Sequence, residues 1–193
     1  MPTLTPLGVA ALGLLDERAM HPYEMFQLMM QRAEDRLVKV RPGSLYHAVD
    51  RLARDGLVRE LGTERAGNRP ERTVYQITDA GRLALSDHVA DLLATPINEY
   101  PVFPLAVSEA HILPADTVAV LLQRRLEQQD ALIRGYEDGL AGATGRGVPR
   151  RYLIDGELSL ALLRAEAAWI RTFLDELTSG ALDWDAAQQK DDE

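Results

Sequence analysis

The chain has 193 residues, room for one or two small domains, and its 46% hydrophobic and 26% charged content is ordinary for a folded protein. It has no cysteine, which excludes disulfides, thiolate metal sites and a cysteine nucleophile and fits a reducing compartment. A net charge of -9 argues against a protein that coats nucleic acid indiscriminately.

The apolar start, Leu7 to Leu15, lacks a basic leader and a small-residue cleavage site, and no apolar run approaches the ~20 residues a membrane helix needs. A cytoplasmic location and no membrane partner are expected. The acidity is uneven. Residues 1–94 carry 12 basic and 13 acidic side chains, whereas residues 95–193 carry 9 and 17. The window 36–54 sets Arg36, Lys39, Arg41, Arg51 and Arg54 against Asp50 alone, a local net of +4.

"TPLGVAALGLLDE" predicts a mostly apolar first helix, with Thr5 as N-cap and Pro6 at the first helical position, where a missing N–H costs nothing. "HPYEMFQLMMQRAE" predicts a second, with Pro22 in its first turn and Met25, Leu28 and Met29 as a buried stripe; the Met25, Met29, Met30 group reads as core filling. "RPGSLYHAVDRLARDGLV" predicts a third. Leu45, Ala48, Val49 and Leu52 form one apolar face, Gly43-Ser44 the start and Gly56 the stop. His47, Asp50, Arg51 and Arg54 lie on the opposite face, and Tyr46 on the flank between.

Two strand-like runs follow, Leu57-Val58 and Val74 to Thr78, around a polar loop with Gly67, Asn68, Arg69 and Pro70; they predict a hairpin with a long tip. "DAGRLALSDHVADLLA" predicts a fourth helix capped by Asp79 or Thr78. Leu83, Leu85, Val89, Leu92 and Leu93 suggest a broad buried surface. "TPINEYPVFP" holds three prolines in ten residues and marks a domain boundary, giving domains 1–94 and 95–193. Beyond it, Asp116 is expected to cap a long helix whose Ala119, Leu122, Leu126, Gln129, Ile133, Tyr136 and Leu140 step by three and four, as a helix–helix seam does. "GATGRGVPR" reads as a flexible connector. The last helix carries Leu160, Leu163, Ala167, Ile170, Leu174 and Leu177 on one stripe, with Leu158, Leu162, Trp169 and Phe173 beside it, and the "QQKDDE" tail is expected to fray.

Three helices and a two-stranded hairpin are the layout of a winged helix-turn-helix, whose third helix enters the DNA major groove. The expected fold is therefore mainly α with a small β-hairpin: a winged helix-turn-helix domain, then a C-terminal helical domain.

At these residues the sequence resembles the PadR family of transcriptional regulators. "HPYEM", "GSLYHAVDRLARDGLV", "GNRPER" and "VYQITDAGR" match family motifs in order, over about residues 5–94. His47 follows Tyr46 where many members have proline. "FPL", "LPAD" and "AAWIRTFLDEL" resemble the longer C-terminal region of one PadR subfamily, whose helices build a homodimer. The resemblance implies a homodimeric repressor on a two-fold symmetric double-stranded operator, released by a small-molecule effector.

The candidate DNA contacts are Lys39 and Arg41, suited to phosphates; Ser44, Tyr46, His47 and Arg51 on the third helix; and Asn68, Arg69 and Arg72 at the wing tip. Structural roles compete for several: a helix cap for Ser44, flank packing for Tyr46, an ion pair with Asp50, Asp55 or another acid for Arg51. Trp169 offers an indole face to a flat aromatic effector, or belongs to the core or a dimer seam. Four scattered histidines show no metal-ligand spacing, and no phosphate loop or nucleophile elbow is present, so no catalysis, cofactor or metal is expected. The competing class is a winged-helix protein-interaction module without DNA binding.

Overall fold

Thr5 and Pro6 start the first helix as their chemistry predicts. In the computed structural model, which describes residues 4–64 and 72–184, α1 spans Pro6–Glu17 and the Gly8 N–H donates to Thr5 Oγ1 at 3.2 Å. The chain divides into two compact units, Met1–Glu99 and Tyr100–Glu193.

In the first unit, α3 (Pro42–Arg54) packs on α1, and α2 (Pro22–Gln31) packs on α3, around one shared core. Leu12, Leu15, Met25, Met29, Leu45 and Val49 are almost fully buried, each contributing roughly 1.5–3 kcal/mol of hydrophobic stabilisation. Met30, read as core, lies on the exposed side of α2. α3 begins at Pro42, one residue before the expected Gly43-Ser44 start, with Arg41 at the N-cap and no side chain capping it. It stops at Gly56, whose φ of +72° lies in the left-handed region that favours glycine.

β1 (Val58–Glu64) pairs antiparallel with β2 (Arg72–Ile77), from Val58 opposite Ile77 to Glu64 opposite Arg72, with a bulge between Glu60 and Gly62. Met20 and Tyr75 exchange both backbone hydrogen bonds at 3.1 Å, so the link between α1 and α2 adds a short third edge.

α4 (Asp79–Ala94) is capped by Thr78 rather than Asp79. The Thr78 hydroxyl accepts from the Gly81 N–H at 3.0 Å and lies 2.8 Å from the Gly56 carbonyl and 3.0 Å from that of Leu57. One side chain thus ties the start of α4 to the end of α3. Gly81 sits directly against that turn, where a Cβ would lie 2.1 Å from the Leu57 carbonyl oxygen. The broad buried surface expected of α4 is absent from the single chain. Leu83, Val89, Leu92 and Leu93 are exposed, and only Gly81 is fully buried.

The second unit opens with α5 (Val102–Ser108), a short helix that begins in the last three residues of the proline-rich boundary stretch and runs beyond it. α6 (Ala115–Gly145) and α7 (Ile154–Ser179) form an antiparallel hairpin. Pro114, not Asp116, is the cap residue of α6. The first part of the expected connector is helical: α6 runs through Gly145, and Gly147 ends it in the left-handed conformation. There the Gly147 N–H donates to the Thr144 carbonyl and the Val148 N–H to that of Ala143. The seam follows the predicted spacing, with Leu122, Leu126 and Gln129 of α6 buried along with Val118, against Leu160, Ala167, Ile170, Leu174 and Leu177.

Gln129 is the one buried polar side chain among the described residues, and its Nε2 donates to the Leu163 carbonyl at 2.9 Å. Arg125–Glu166, Arg164–Glu137 and Arg171–Asp130 pairs cross the same hairpin at 2.8, 2.6 and 2.6 Å. Leu158, Leu162 and Trp169 stay exposed on α7. No helix among the described residues is long and apolar enough to cross a membrane. The tail from residue 185 lies outside them.

Candidate nucleic-acid interface

The segment leading into α3 sorts its side chains by extended-chain alternation. Val38 and Val40 pack on the core, while Lys39 and Arg41 point to solvent. Helical periodicity then takes over. With Leu45, Val49 and Leu52 buried, Ser44, Tyr46, His47, Asp50, Arg51 and Arg54 form a continuous exposed face. Lys39, Arg41, Ser44, Tyr46, His47 and Arg51 are thus gathered on and just before one helix.

Ser44 lies in the third helical position and takes no capping role, which removes the structural reading offered for it. Tyr46 is 38% exposed, and its ring meets the His21 ring edge-on at 5.7 Å between centroids. His21 Nδ1 accepts the Tyr23 N–H at 3.0 Å and caps α2. The histidine that starts one helix therefore supports the tyrosine of the next. Sequence reasoning missed this; a histidine before Pro22, in an N-cap position, was its only signal.

Arg51 Nε lies 3.9 Å from Asp55 Oδ2, an exposed i,i+4 pair worth about 0.3–0.5 kcal/mol. Arg54 Nε reaches the Asp50 backbone carbonyl at 3.4 Å. His47, Asp50, Ala53 and Arg54 form one wall of a shallow open groove, and Glu60 and Tyr75 of the hairpin form the other. Burial pushes the Tyr75 phenol above its ordinary range, and the Glu60 and Asp50 carboxylates add to the effect.

On the hairpin, Arg59 donates to Gln76 Oε1 at 2.9 Å through Nη2. Arg72 opens β2 opposite Glu64, whereas Asn68 and Arg69 lie outside the described residues. The expected wing-tip cluster is therefore located only by its base.

In the second unit, Trp169 is 45% exposed, stacks on Phe173 at 5.2 Å and meets Phe103 edge-on at 6.4 Å. Phe173 also meets Trp184 at 5.6 Å, and the Arg125 guanidinium lies 3.5 Å above the Phe103 ring. Trp169 is thus half inside an aromatic cluster, with one side open. No group of three or more His, Asp or Glu able to hold a metal ion occurs among the described residues.

Residues 11–87 match the family described as transcriptional regulator PadR-like. Among solved structures, PadR of Bacillus subtilis in complex with operator DNA is similar with a TM-score of 0.76 and 18% identity, over 89% of this chain and 97% of that one. The same protein in complex with p-coumaric acid gives 0.72 and 15%, over 92% and 98%. The Vibrio cholerae virulence activator AphA gives 0.66 and 20%, over 90% and 98%. At these identities the likeness shows a common fold. No curated protein sequence matches the chain.

Proposed function

From the premise that residues 11–87 are a PadR-like regulator domain, we propose that the chain is a sequence-specific DNA-binding transcriptional regulator, acting as a homodimeric repressor. The observation that carries this reading is the outward face of α3, continuous with Lys39 and Arg41, in the basic window of an otherwise acidic chain. Ser44, Tyr46, His47 and Arg51 read base edges and the adjoining backbone. Lys39 and Arg41 hold phosphates, which positions the protein without carrying sequence information, and the wing residues Asn68, Arg69 and Arg72 reach the minor groove or the backbone. Binding by B. subtilis PadR to operator DNA supports the assignment by shared fold.

One module makes too few contacts for useful specificity; a dimer doubles them and calls for a two-fold symmetric operator with half-sites about 10 bp apart or a multiple of that. Support for a second copy comes from the apolar side chains that the single chain leaves uncovered: Leu83, Val89, Leu92 and Leu93 of α4, and Leu158, Leu162 and Trp169 of α7. Trp169 is also the proposed effector contact, since its free indole face suits a flat aromatic molecule. A related fold holds p-coumaric acid, which supports that class of ligand. The reading is of a binding protein without catalysis or cofactor, in the cytoplasm.

The test is a gel shift on the DNA upstream of the protein's own gene at moderate salt. A specific shift is expected, and Tyr46→Ala and Arg51→Ala each weaken it with dimerisation unchanged. A dimer that shifts no operator refutes the reading in favour of a protein-interaction module. Because AphA of the same fold is named an activator, a reporter gene downstream of the shifted operator decides the sign: derepression on deletion is expected.

A further inference from the structure

The proposed DNA-facing surface carries a charge of the wrong sign. On α3, His47, Asp50 and Arg54 follow one another at three and four residues, on the stripe opposite Leu45, Val49 and Leu52. Asp50 is exposed at the middle of that stripe. Its neighbours do not neutralise it. Arg54 Nε reaches the Asp50 backbone carbonyl, not its carboxylate, and Arg51 turns to Asp55. Among the described residues no ion pair is formed by the Asp50 carboxylate. Across the groove stands a second carboxylate, Glu60, beside the phenol of Tyr75.

A duplex carries one negative charge per ~1.7 Å of axis, so a carboxylate facing it is repelled by every phosphate it nears. An ionised aspartate has acceptors only. On the major-groove edge it can therefore bind only an exocyclic amine. Guanine offers O6 and N7 and thymine offers O4, all acceptors. Adenine sets its N6 amine beside the N7 acceptor, whereas cytosine presents its N4 amine as the sole polar group. The fit of an acceptor-only side chain is best to cytosine.

We propose that Asp50 is a specificity-determining residue, accepting a hydrogen bond from N4 of a cytosine in each operator half-site and rejecting guanine and thymine there by the same charge. The inference rests on α3 being the recognition helix. It assigns to Asp50 a role in discrimination rather than in affinity, unlike the cations around it.

The experiment measures fluorescence anisotropy of the full-length protein on its operator and on every single-base variant of one half-site, for the unsubstituted chain, Asp50→Asn and Asp50→Ala. Asp50 is exposed, so both variants are expected to melt with the unsubstituted protein. The expected result is one position at which cytosine is preferred by about 5- to 100-fold. Asp50→Ala flattens the preference at that position alone. Asp50→Asn moves it toward adenine, because an amide can pair with N6 and N7 together. Binding to unrelated DNA tightens in both variants as a negative charge is removed. If both variants change affinity evenly over the whole panel, Asp50 acts by charge alone and the inference is overturned. It is equally overturned if they keep the full base profile. If the unsubstituted protein binds no operator, the recognition-helix reading fails, and this inference with it.

Discussion

Gly81→Ala tests the packing logic that joins α3, the hairpin and α4. A Cβ at this position lies 2.1 Å from the Leu57 carbonyl oxygen, 2.8 Å from Ile77 Cγ1 and 3.0 Å from the Leu57 carbonyl carbon. Two of these three atoms are backbone, so no rotamer change relieves the clash. The Leu57 carbonyl is itself fixed by the Thr78 N–H at 3.0 Å and is approached by the Thr78 hydroxyl. Restoring ordinary contact means moving α4 away by more than an ångström. Overpacking of this kind costs about 1–3 kcal/mol, and the strained Thr78 hydrogen bonds add about 1 kcal/mol each. The expected loss of roughly 3–5 kcal/mol lowers the melting temperature of a unit this size by well over ~10 °C. Gly13→Ala is the control. It is also helical but has open space around its would-be Cβ, and replacing helical glycine there gains about 0.5–1 kcal/mol. Thermal and urea melts of the full chain, followed by circular dichroism, read both. A Gly81→Ala protein within ~0.5 kcal/mol of the unsubstituted one would refute the reasoning.

Operator affinity is expected to fall steeply with salt, and Lys39→Ala and Arg41→Ala each reduce the log–log slope by about 1 while weakening all sequences evenly; a base-dependent loss would contradict their assignment to phosphates. Leu158→Glu with Leu162→Glu, at exposed positions of α7, turns the dimer into a monomer by light scattering if a second copy covers that face; an unchanged dimer places the interface elsewhere. The Arg32 guanidinium hydrogen-bonds the Glu17 carboxylate at 2.5 and 2.8 Å and holds its pKa below the ordinary range. Its stabilisation is present above the unfolded value near ~4.3 and is lost as pH falls through the depressed native value. The pair is about half exposed, so its worth is ~0.5 kcal/mol. The melting difference between Glu17→Gln and the unsubstituted chain therefore narrows between about pH 5 and pH 2; a constant difference would refute this.

What could be read in the sequence was local and periodic. The buried face of α3, the Thr5 cap, the Gly56 stop and the seam through Leu122, Leu126 and Gln129 follow from spacings of three and four and from single-residue chemistry. The misses have two causes: the local chemistry of proline at a helix start, and dependence on what another element supplies. Proline needs no N–H partner, so Pro42 starts α3 ahead of Gly43-Ser44. "GATG" has poor helix propensity, yet Ala143 is buried and Gly147 closes the last turn, so tertiary contact prevails there. Leucines on α4 gave a buried pattern, but a pattern cannot say whether the covering surface lies in the same chain. Of the candidate contacts, those on α3 were legible because helical phase fixes which residues share its outer face. The role of His21 beneath Tyr46 was not, since it joins residues 25 positions apart in the chain.

The buried amide of Gln129 acts as a register pin. If α6 slid along α7 by one helical turn, Gln129 would lose the Leu163 carbonyl inside an apolar seam, and the Arg125–Glu166, Arg164–Glu137 and Arg171–Asp130 pairs would all be broken in the same stroke. Sliding is thereby penalised at four points, while pivoting the two helices together breaks none of them. Whatever motion this hairpin transmits, it passes on as a rod and not as a ratchet.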